Sequence, residues 1–287
     1  MVTIDPSIIA IPKLQGFLQG TIGPRPIAFV SSIDRSGSVN LSPFSFFNMF
    51  SMNPPILIFS PSRRVRDNST KHTLQNVLEV PEVVINIVAY NMVEQASLAS
   101  CDFPKGTNEF VKAGFTEVKS EKVKPPRVGE SPVSFECKVN QVMPLGTEGG
   151  AGNLVICEVL LIHLREDLLD ETGKINPHKL DAVARMGGDY YCRALGEAIF
   201  KVPKPNEKVG IGYEKIPLQV RNSSIFTGND LGRLGNVEKL PEPESVHLFQ
   251  SSEEWLAVLA GGEEMVHRTA QKLLAEGRVE EAWKLLL

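Results

Sequence analysis

Gly23-Pro24-Arg25-Pro26-Ile27-Ala28-Phe29-Val30-Ser31-Ser32-Ile33-Asp34, followed by Asn40-Leu41-Ser42-Pro43-Phe44-Ser45-Phe46-Phe47-Asn48, is the stretch whose reading decides the fold. Pro26 to Ile33 is a predicted strand. Ser36-Gly37 is a turn signal and Val39 to Leu41 restarts a strand, which makes a hairpin. The Phe- and Ser-rich run Phe44 to Met52 comes next and is closed by Asn53-Pro54-Pro55. Pro55 cannot donate to a ladder, so a further strand, Ile56 to Ser60, begins just after it.

Working outward, Val83 to Ala89 is almost entirely apolar and β-branched, the pattern of a strand buried on both faces. Asn86 interrupts it, and a buried amide needs partners; it is either a structural bridge or a ligand contact. Val133 to Met143 and Leu154 to Leu164 are long strand-like segments, and the glycines from Gly146 to Gly152 between them predict a loose hairpin. Short helices are expected from a cap at Ser69 or Thr70 through about Leu78, from Met92 to Cys101, and from Thr107 to Ala113. A fourth starts at Asn176-Pro177, with Leu180, Val183 and Ala184 as its apolar face. Residues 1–20 read as a lead-in. Many strands with few helices and no regular alternation favour an antiparallel barrel or sandwich.

Lys201 to Gly212 mixes Pro, Lys, Glu and Gly and reads as a linker. It divides a main domain, 1–200, from an extension, 201–287. Within the extension, Leu218 to Thr227 reads as extended and Gly228-Asn229-Asp230 as a turn. The end reads as a helical hairpin: Val266, Ala270, Leu273 and Leu274 line one helix, Gly277 breaks the chain, and Val279, Ala282, Trp283 and Leu286 line the next.

The 287 residues carry a formal net charge of −4. Lys and Arg are scattered, which argues against a nucleic-acid partner. No apolar run approaches the ~18–20 residues that span a bilayer. No signal-peptide pattern opens the chain, and the four cysteines form no CxxC pair, so no metal site or disulfide framework is expected and a cytoplasmic location fits.

Two clusters carry candidate chemistry. Ser60, Ser62, Arg63 and Arg64 follow a strand, and Ser69, Thr70, Lys71 and Thr73 sit at a helix start about ten residues on. Helix starts expose unpaired N–H groups that suit phosphate; a solvated basic loop with an ordinary cap is the alternative. Ser42 to Asn48 alternates Phe with small hydroxyls, which can supply both an apolar floor and donors for a polar ring; a core strand is the alternative. The Gly187-Gly188-Asp189-Tyr190-Tyr191 run lets backbone approach a ligand closely. His72 lies beside the candidate phosphate helix, and His163 reads as a structural histidine. Glu136 and Glu158 lie in strands that can pair, with nothing to fix their separation. GxGxxG after a strand, GxSxG and HExxH are all absent.

These pieces, in this order, resemble the flavin reductase-like, FMN-binding family, to which the flavoredoxins belong. The matching residues are Arg25 to Ser32, Asn40 to Asn48, Pro54 to Leu57, Ser60 to Arg64, Lys71 to Asn76, Val84 to Ile87 and Arg185 to Tyr191, so coverage runs from about Leu18 to Leu195. The resemblance implies a mainly β fold with short helices: an antiparallel, Greek-key-like split β-barrel binding FMN in a groove at its edge, commonly at a homodimer interface. It implies that Ser45, Phe46, Phe47 and Asn48 meet the isoalloxazine, and that Ser60, Ser62, Arg63, Lys71 and Thr73 hold the phosphate or ribityl chain. It implies further that Asn86 reaches the flavin and that Tyr190 closes over it, from the same or the other subunit. The family often carries an acidic residue where His72 stands.

The expected activity is hydride transfer from NAD(P)H to flavin, with electrons passed on to free flavin, oxygen or another acceptor. No side-chain nucleophile and no metal are needed, because the cofactor carries the redox chemistry. The rival reading is a non-enzymatic FMN-binding electron carrier or sensor that docks an acceptor protein through residues 201–287, with Trp283 as the motivating residue. A heme or pyridoxal-type split barrel is a third.

Overall fold

The computed structural model describes residues 1–203 and 209–287. Two compact units divide at Phe200/Lys201. The expected linker from Lys201 to Gly212 falls partly on residues 204–208, outside the described residues.

The first unit is built on twelve strands: β1 (Arg25–Pro26), β2 (Ala28–Ile33), β3 (Val39–Phe44), β4 (Phe47–Met52), β5 (Pro55–Phe59), β6 (Glu82–Ile87), β7 (Glu117–Val118), β8 (Arg127–Val128), β9 (Val133–Pro144), β10 (Asn153–Leu164), β11 (Val183–Arg185) and β12 (Tyr191–Arg193). Seven form one antiparallel sheet in the order β3-β2-β6-β9-β10-β5-β4. β3 and β4 stand at opposite edges of that order, yet only Ser45 and Phe46 separate them in sequence. Three Cα steps reach at most about 11 Å. The sheet must therefore roll until its edges face each other at this corner. Among the described residues no ladder joins β3 to β4, so the roll is not closed by hydrogen bonds.

β2 is buried along its whole length because both its faces are packed. Phe29 faces a cluster with Leu41, Met92, Phe110 and Phe115. Ala28 and Val30 face a second cluster with Phe59, Val77, Ile85 and Cys157. Each fully buried large side chain contributes roughly 1.5–3 kcal/mol of transfer free energy. Asn86, in the middle of β6, is fully buried and serves as the structural bridge. Its amide donates to the Phe29 carbonyl (2.9 Å), and its oxygen accepts from Val128 N (3.1 Å) and Ser134 Oγ (2.7 Å).

Several elements differ from the sequence reading. Residues 1–20 are more than a lead-in, since a helix spans Ile11–Thr21 with Pro in its first turn. Arg25 ties that helix to the β11–β12 hairpin, donating to the carbonyls of Gln19 (2.6 Å), Ile22 and Met186 (2.8 Å). A Cβ on Gly187 would lie 2.8 Å from Gly20 Cα, so this approach requires glycine. Asn176 caps its helix as expected, accepting from His178 N, but the helix is only Pro177–Leu180. Asp181 turns left-handed (φ 47°) and stops it, so Val183 and Ala184 pair as strand β11 rather than forming a helical face.

The second unit is helical: Leu218–Arg221, Gly228–Gly235, Pro243–Gln250, Glu253–Ala260, Glu263–Ala275 and Val279–Leu286. The last two form the expected hairpin. Of the expected extended segment, Leu218–Arg221 is a short helix instead and 222–227 belongs to no helix or strand. The expected turn is a helix, because Thr227 and Asp230 cap Gly228–Gly235 reciprocally. Trp283 is fully buried in this unit's core, and its indole N–H donates to the Leu234 carbonyl (3.0 Å). It is a core residue here, not an exposed anchor for a partner.

Candidate functional site

The corner between β3 and β4 opens onto two cavities. Phe46 faces a cavity of about 530 Å³, whose polar side is Ser62, Arg63, Arg64, Arg66, Lys71 and Asp102. Its apolar wall is the helix Ile11–Thr21, through Ile11, Leu14 and Leu18. Ser45 faces a second cavity of about 350 Å³ with Ser97, Ser100, Arg185, Asp189 and Tyr191. The Arg185 guanidinium lies 4.6 Å from the Tyr191 ring centroid, stacked as a cation on an aromatic face.

The polar side is a cross-braced loop. Ser60 is buried, receives Asn153 N–H on its Oγ (3.1 Å), and donates its own N–H to the Phe46 carbonyl (2.8 Å). A Cβ on Gly152 would come within 2.7 Å of that Oγ. Arg63 binds Asn68 twice, Nε to Oδ1 (2.6 Å) and Nη2 to the carbonyl (2.7 Å). Arg64 Nη1 donates to Ser69 Oγ (3.0 Å) and to the Thr70 carbonyl (2.7 Å). Each guanidinium thus holds the loop while lining the cavity.

The loop delivers the chain into the helix His72–Glu79, which has no side-chain cap and no acidic residue in its first turn. The expected cap at Ser69 or Thr70 is not used, because Ser69 bonds Asp67 and Arg64 instead. The helix is anchored to the sheet by buried pairs, Asn40 Nδ2 to Thr73 Oγ1 (2.9 Å) and Asn76 Nδ2 to Ser32 Oγ (3.1 Å). Leu74 and Val77 add apolar burial. Its first-turn N–H groups and positive dipole end lie beside Lys71, a combination that favours an anion. Burial, then Arg64 and Lys105, push the His72 imidazole below its ordinary value, so at neutral pH it is neutral.

Of the sequence candidates, Phe46, Ser62, Arg63 and Lys71 come together around the larger cavity. Ser45 lines its neighbour. Ser60, Thr73 and Asn86 are buried behind the site, with their side chains engaged as described. Phe47 packs on the core, and Asn48 is exposed with its Oδ1 accepting from Met49 N (2.8 Å). Tyr190 is 77% exposed at the tip of the β11–β12 hairpin. His163 and Glu136 pair with each other (2.7 Å), and Glu136 also accepts N–H bonds from Glu121 and Lys122, so they pin a loop. Glu158 bonds Asn140, so the two carboxylates do not form a dyad. No group of three or more His, Cys, Asp or Glu suited to a metal exists among the described residues.

Two features escaped the sequence reading. The helix Ile11–Thr21 carried a signal, Pro in the first turn of an apolar-spaced run. Asp102 carried none: it follows Cys101 outside any helix or strand and meets the cavity only through the fold.

A family model describing a flavin reductase like domain matches residues 22–180. The chain belongs to the flavin reductase-like family. That membership makes it a flavin-dependent oxidoreductase. An uncharacterized protein of Aquifex aeolicus is 41% identical over 183 residues, 64% of this chain and 91% of its own. Nitrilotriacetate monooxygenase component B from Bacillus cereus superposes with a TM-score of 0.66 at 31% identity, covering 70% of this chain and 98% of its own. The 2-nitrobenzoate 2-nitroreductase of Pseudomonas fluorescens does so with a TM-score of 0.62 at 28% identity, covering 70% and 96%. The family match lies wholly within the first unit.

Proposed function

We propose that this flavin reductase-like chain binds FMN in the cavity between Phe46 and Lys71, as an edge groove of a split β-barrel, and catalyses NAD(P)H-dependent flavin reduction. One observation carries the reading: a single cavity joins Lys71, the residue just before an uncapped helix, and three neighbouring arginines to an apolar wall. Its volume lies in the ordinary range for small-ligand pockets. The donor set fits a phosphate monoester, and Phe46 with Leu14 and Leu18 fits a flat ring.

FMN held there would supply the redox chemistry, namely hydride acceptance from a nicotinamide and electron donation to flavin, oxygen or another acceptor. The chain's own residues bind, orient and shield. Ser62, Arg63, Lys71 and the first N–H groups of the helix hold the phosphate. Phe46 and Ser45, at the corner, meet the ring system. Ser60, Thr73 and Asn86 act from behind, keeping the loop, the helix start and the sheet in register. The apolar side chains of Ile11–Thr21 keep water from that wall.

A homodimer completes the reading. Met49, Phe50 and Met52 on β4 are 61%, 63% and 82% exposed, an apolar strand at the unpaired edge of the sheet. Phe47 and Asn48 share that strand, and the exposed Tyr190 is free to close over the site from a second copy. Light scattering of the full chain tests the dimer: a monomer at micromolar concentration contradicts it.

The activity is tested by mixing FMN-loaded protein anaerobically with NADH or NADPH and following the flavin's visible absorbance. Bleaching with at least one nucleotide supports the reading; a stable oxidised spectrum with both overturns it. The carrier reading gains nothing from Trp283, which is buried.

A further inference from the structure

Asp102 is the one carboxylate among the described residues lining the larger cavity, and it faces the cations from which a phosphate would draw its contacts. Its Oδ1 accepts from Arg64 Nη2 (2.8 Å) and Nε (3.2 Å) and lies 3.3 Å from Lys71 Nζ. Its Oδ2 accepts from Arg66 Nη2 (2.6 Å). The Nε–Nη2 edge of a guanidinium is the fork that matches a phosphate or carboxylate in two-point fashion. On Arg64 that fork is already filled by Asp102.

Two roles are open to such a carboxylate. It can position the cations, or it can compete with an incoming anion. Arg64 does not need Asp102 for its placement, because Nη1 is fixed separately by Ser69 Oγ and the Thr70 carbonyl. The Lys71 backbone starts the helix, and its Nζ lies 3.3 Å from Asp102 Oδ1. What Asp102 alone does is place a negative charge on Lys71, Arg64 and Arg66 at once. A phosphate approaching the helix start meets Lys71 with that charge already beside it, and like charges at this range repel.

Resting on the flavin reading above, we propose that Asp102 is an internal competitor for the flavin phosphate, which makes FMN a dissociable substrate rather than a permanently held group. The ring contacts then set a moderate affinity, and the phosphate adds less than four neighbouring cations would otherwise give. A reductase that hands reduced flavin to another protein or to solution needs that property.

The experiment uses the full chain and its Asp102→Asn variant, which keeps shape and removes charge. FMN and riboflavin dissociation constants are measured by quenching of flavin fluorescence at low salt. Riboflavin shares the ring and lacks the phosphate, so it reports both the fold and the ring site. Asp102→Asn is expected to tighten FMN by about tenfold and to leave riboflavin unchanged. The gain should shrink as salt screens the cavity. Weaker FMN binding in the variant makes Asp102 a scaffold for the cations and overturns the proposal; so does an equal change for both flavins, or none for either. If the wild-type chain binds neither flavin, the flavin reading itself falls and takes the proposal with it.

Discussion

Asn40 and Thr73 lie thirty-three positions apart in sequence, and Asn40 Nδ2 donates to Thr73 Oγ1 across 2.9 Å inside the protein. The bond joins β3, which ends at the Ser45–Phe46 corner, to the helix that begins after Lys71. It therefore couples two parts of the candidate site, the Ser45–Phe46 corner and the start of the helix His72–Glu79. Both residues are buried, and a buried polar group left without a partner is costly.

Thr73→Val removes the acceptor, keeps the shape and leaves the Asn40 amide unpaired. Urea unfolding is expected to show a loss of about 1–3 kcal/mol. Thr73→Ser should restore most of it. A variant as stable as wild type would mean that the pair does not hold the helix to β3.

Gly152→Ala places a methyl group 2.7 Å from Ser60 Oγ, against a residue that is itself bonded to Asn153 N. Either Ser60 or β10 must shift, at a cost typically of about 1–3 kcal/mol. The melting temperature should fall, and the Ser60→Ala/Gly152→Ala double variant should lose less than the two single losses added. Additive losses would place the strain elsewhere.

Acid should weaken the cationic loop through Asp102. The hydrogen bond from Arg64, with Lys71 and Arg66 adding to it against some burial, holds its carboxyl well below the usual carboxylate value of 3.8. A depressed folded-state pKa stabilises the protein above the unfolded value and stops doing so as pH falls through the folded one. The Asp102 side chain is 35% exposed, so solvent screening limits the contribution to about 1 kcal/mol or less. Urea midpoints should differ between wild type and Asp102→Asn at neutral pH, and converge as pH falls below 3.8. A gap that persists in acid would show that the ion pairs do not stabilise the loop.

Local chemistry explains what the sequence made legible. The β2–β3 hairpin was readable because the apolar run of β2 and the restart at Val39 flank a turn at Gly37, whose φ of 87° favours glycine. β6 was readable because a strand packed on both faces must be apolar throughout. The pieces of the site were readable where they sit on one short segment, as with Ser62, Arg63 and Lys71. Val183 and Ala184 were misread because helical spacing and strand alternation overlap over so few residues, and the left-handed Asp181 decided between them. The Gly228 helix was misread because Gly-Asn-Asp has turn composition, while its start depends on a reciprocal Thr227–Asp230 cap. Asp102 left no trace because its partner Arg64 is 38 positions away.

The central claim, that FMN sits in the Phe46–Lys71 cavity with its phosphate at the helix start, is tested most directly by titrating FMN into wild type and Lys71→Ala. Losing a charge-assisted contact worth about 1.5–3 kcal/mol should weaken FMN by roughly 10- to 100-fold, with riboflavin little changed. Equal FMN affinity in the two proteins would contradict the placement, and absence of FMN binding by wild type would contradict the site altogether.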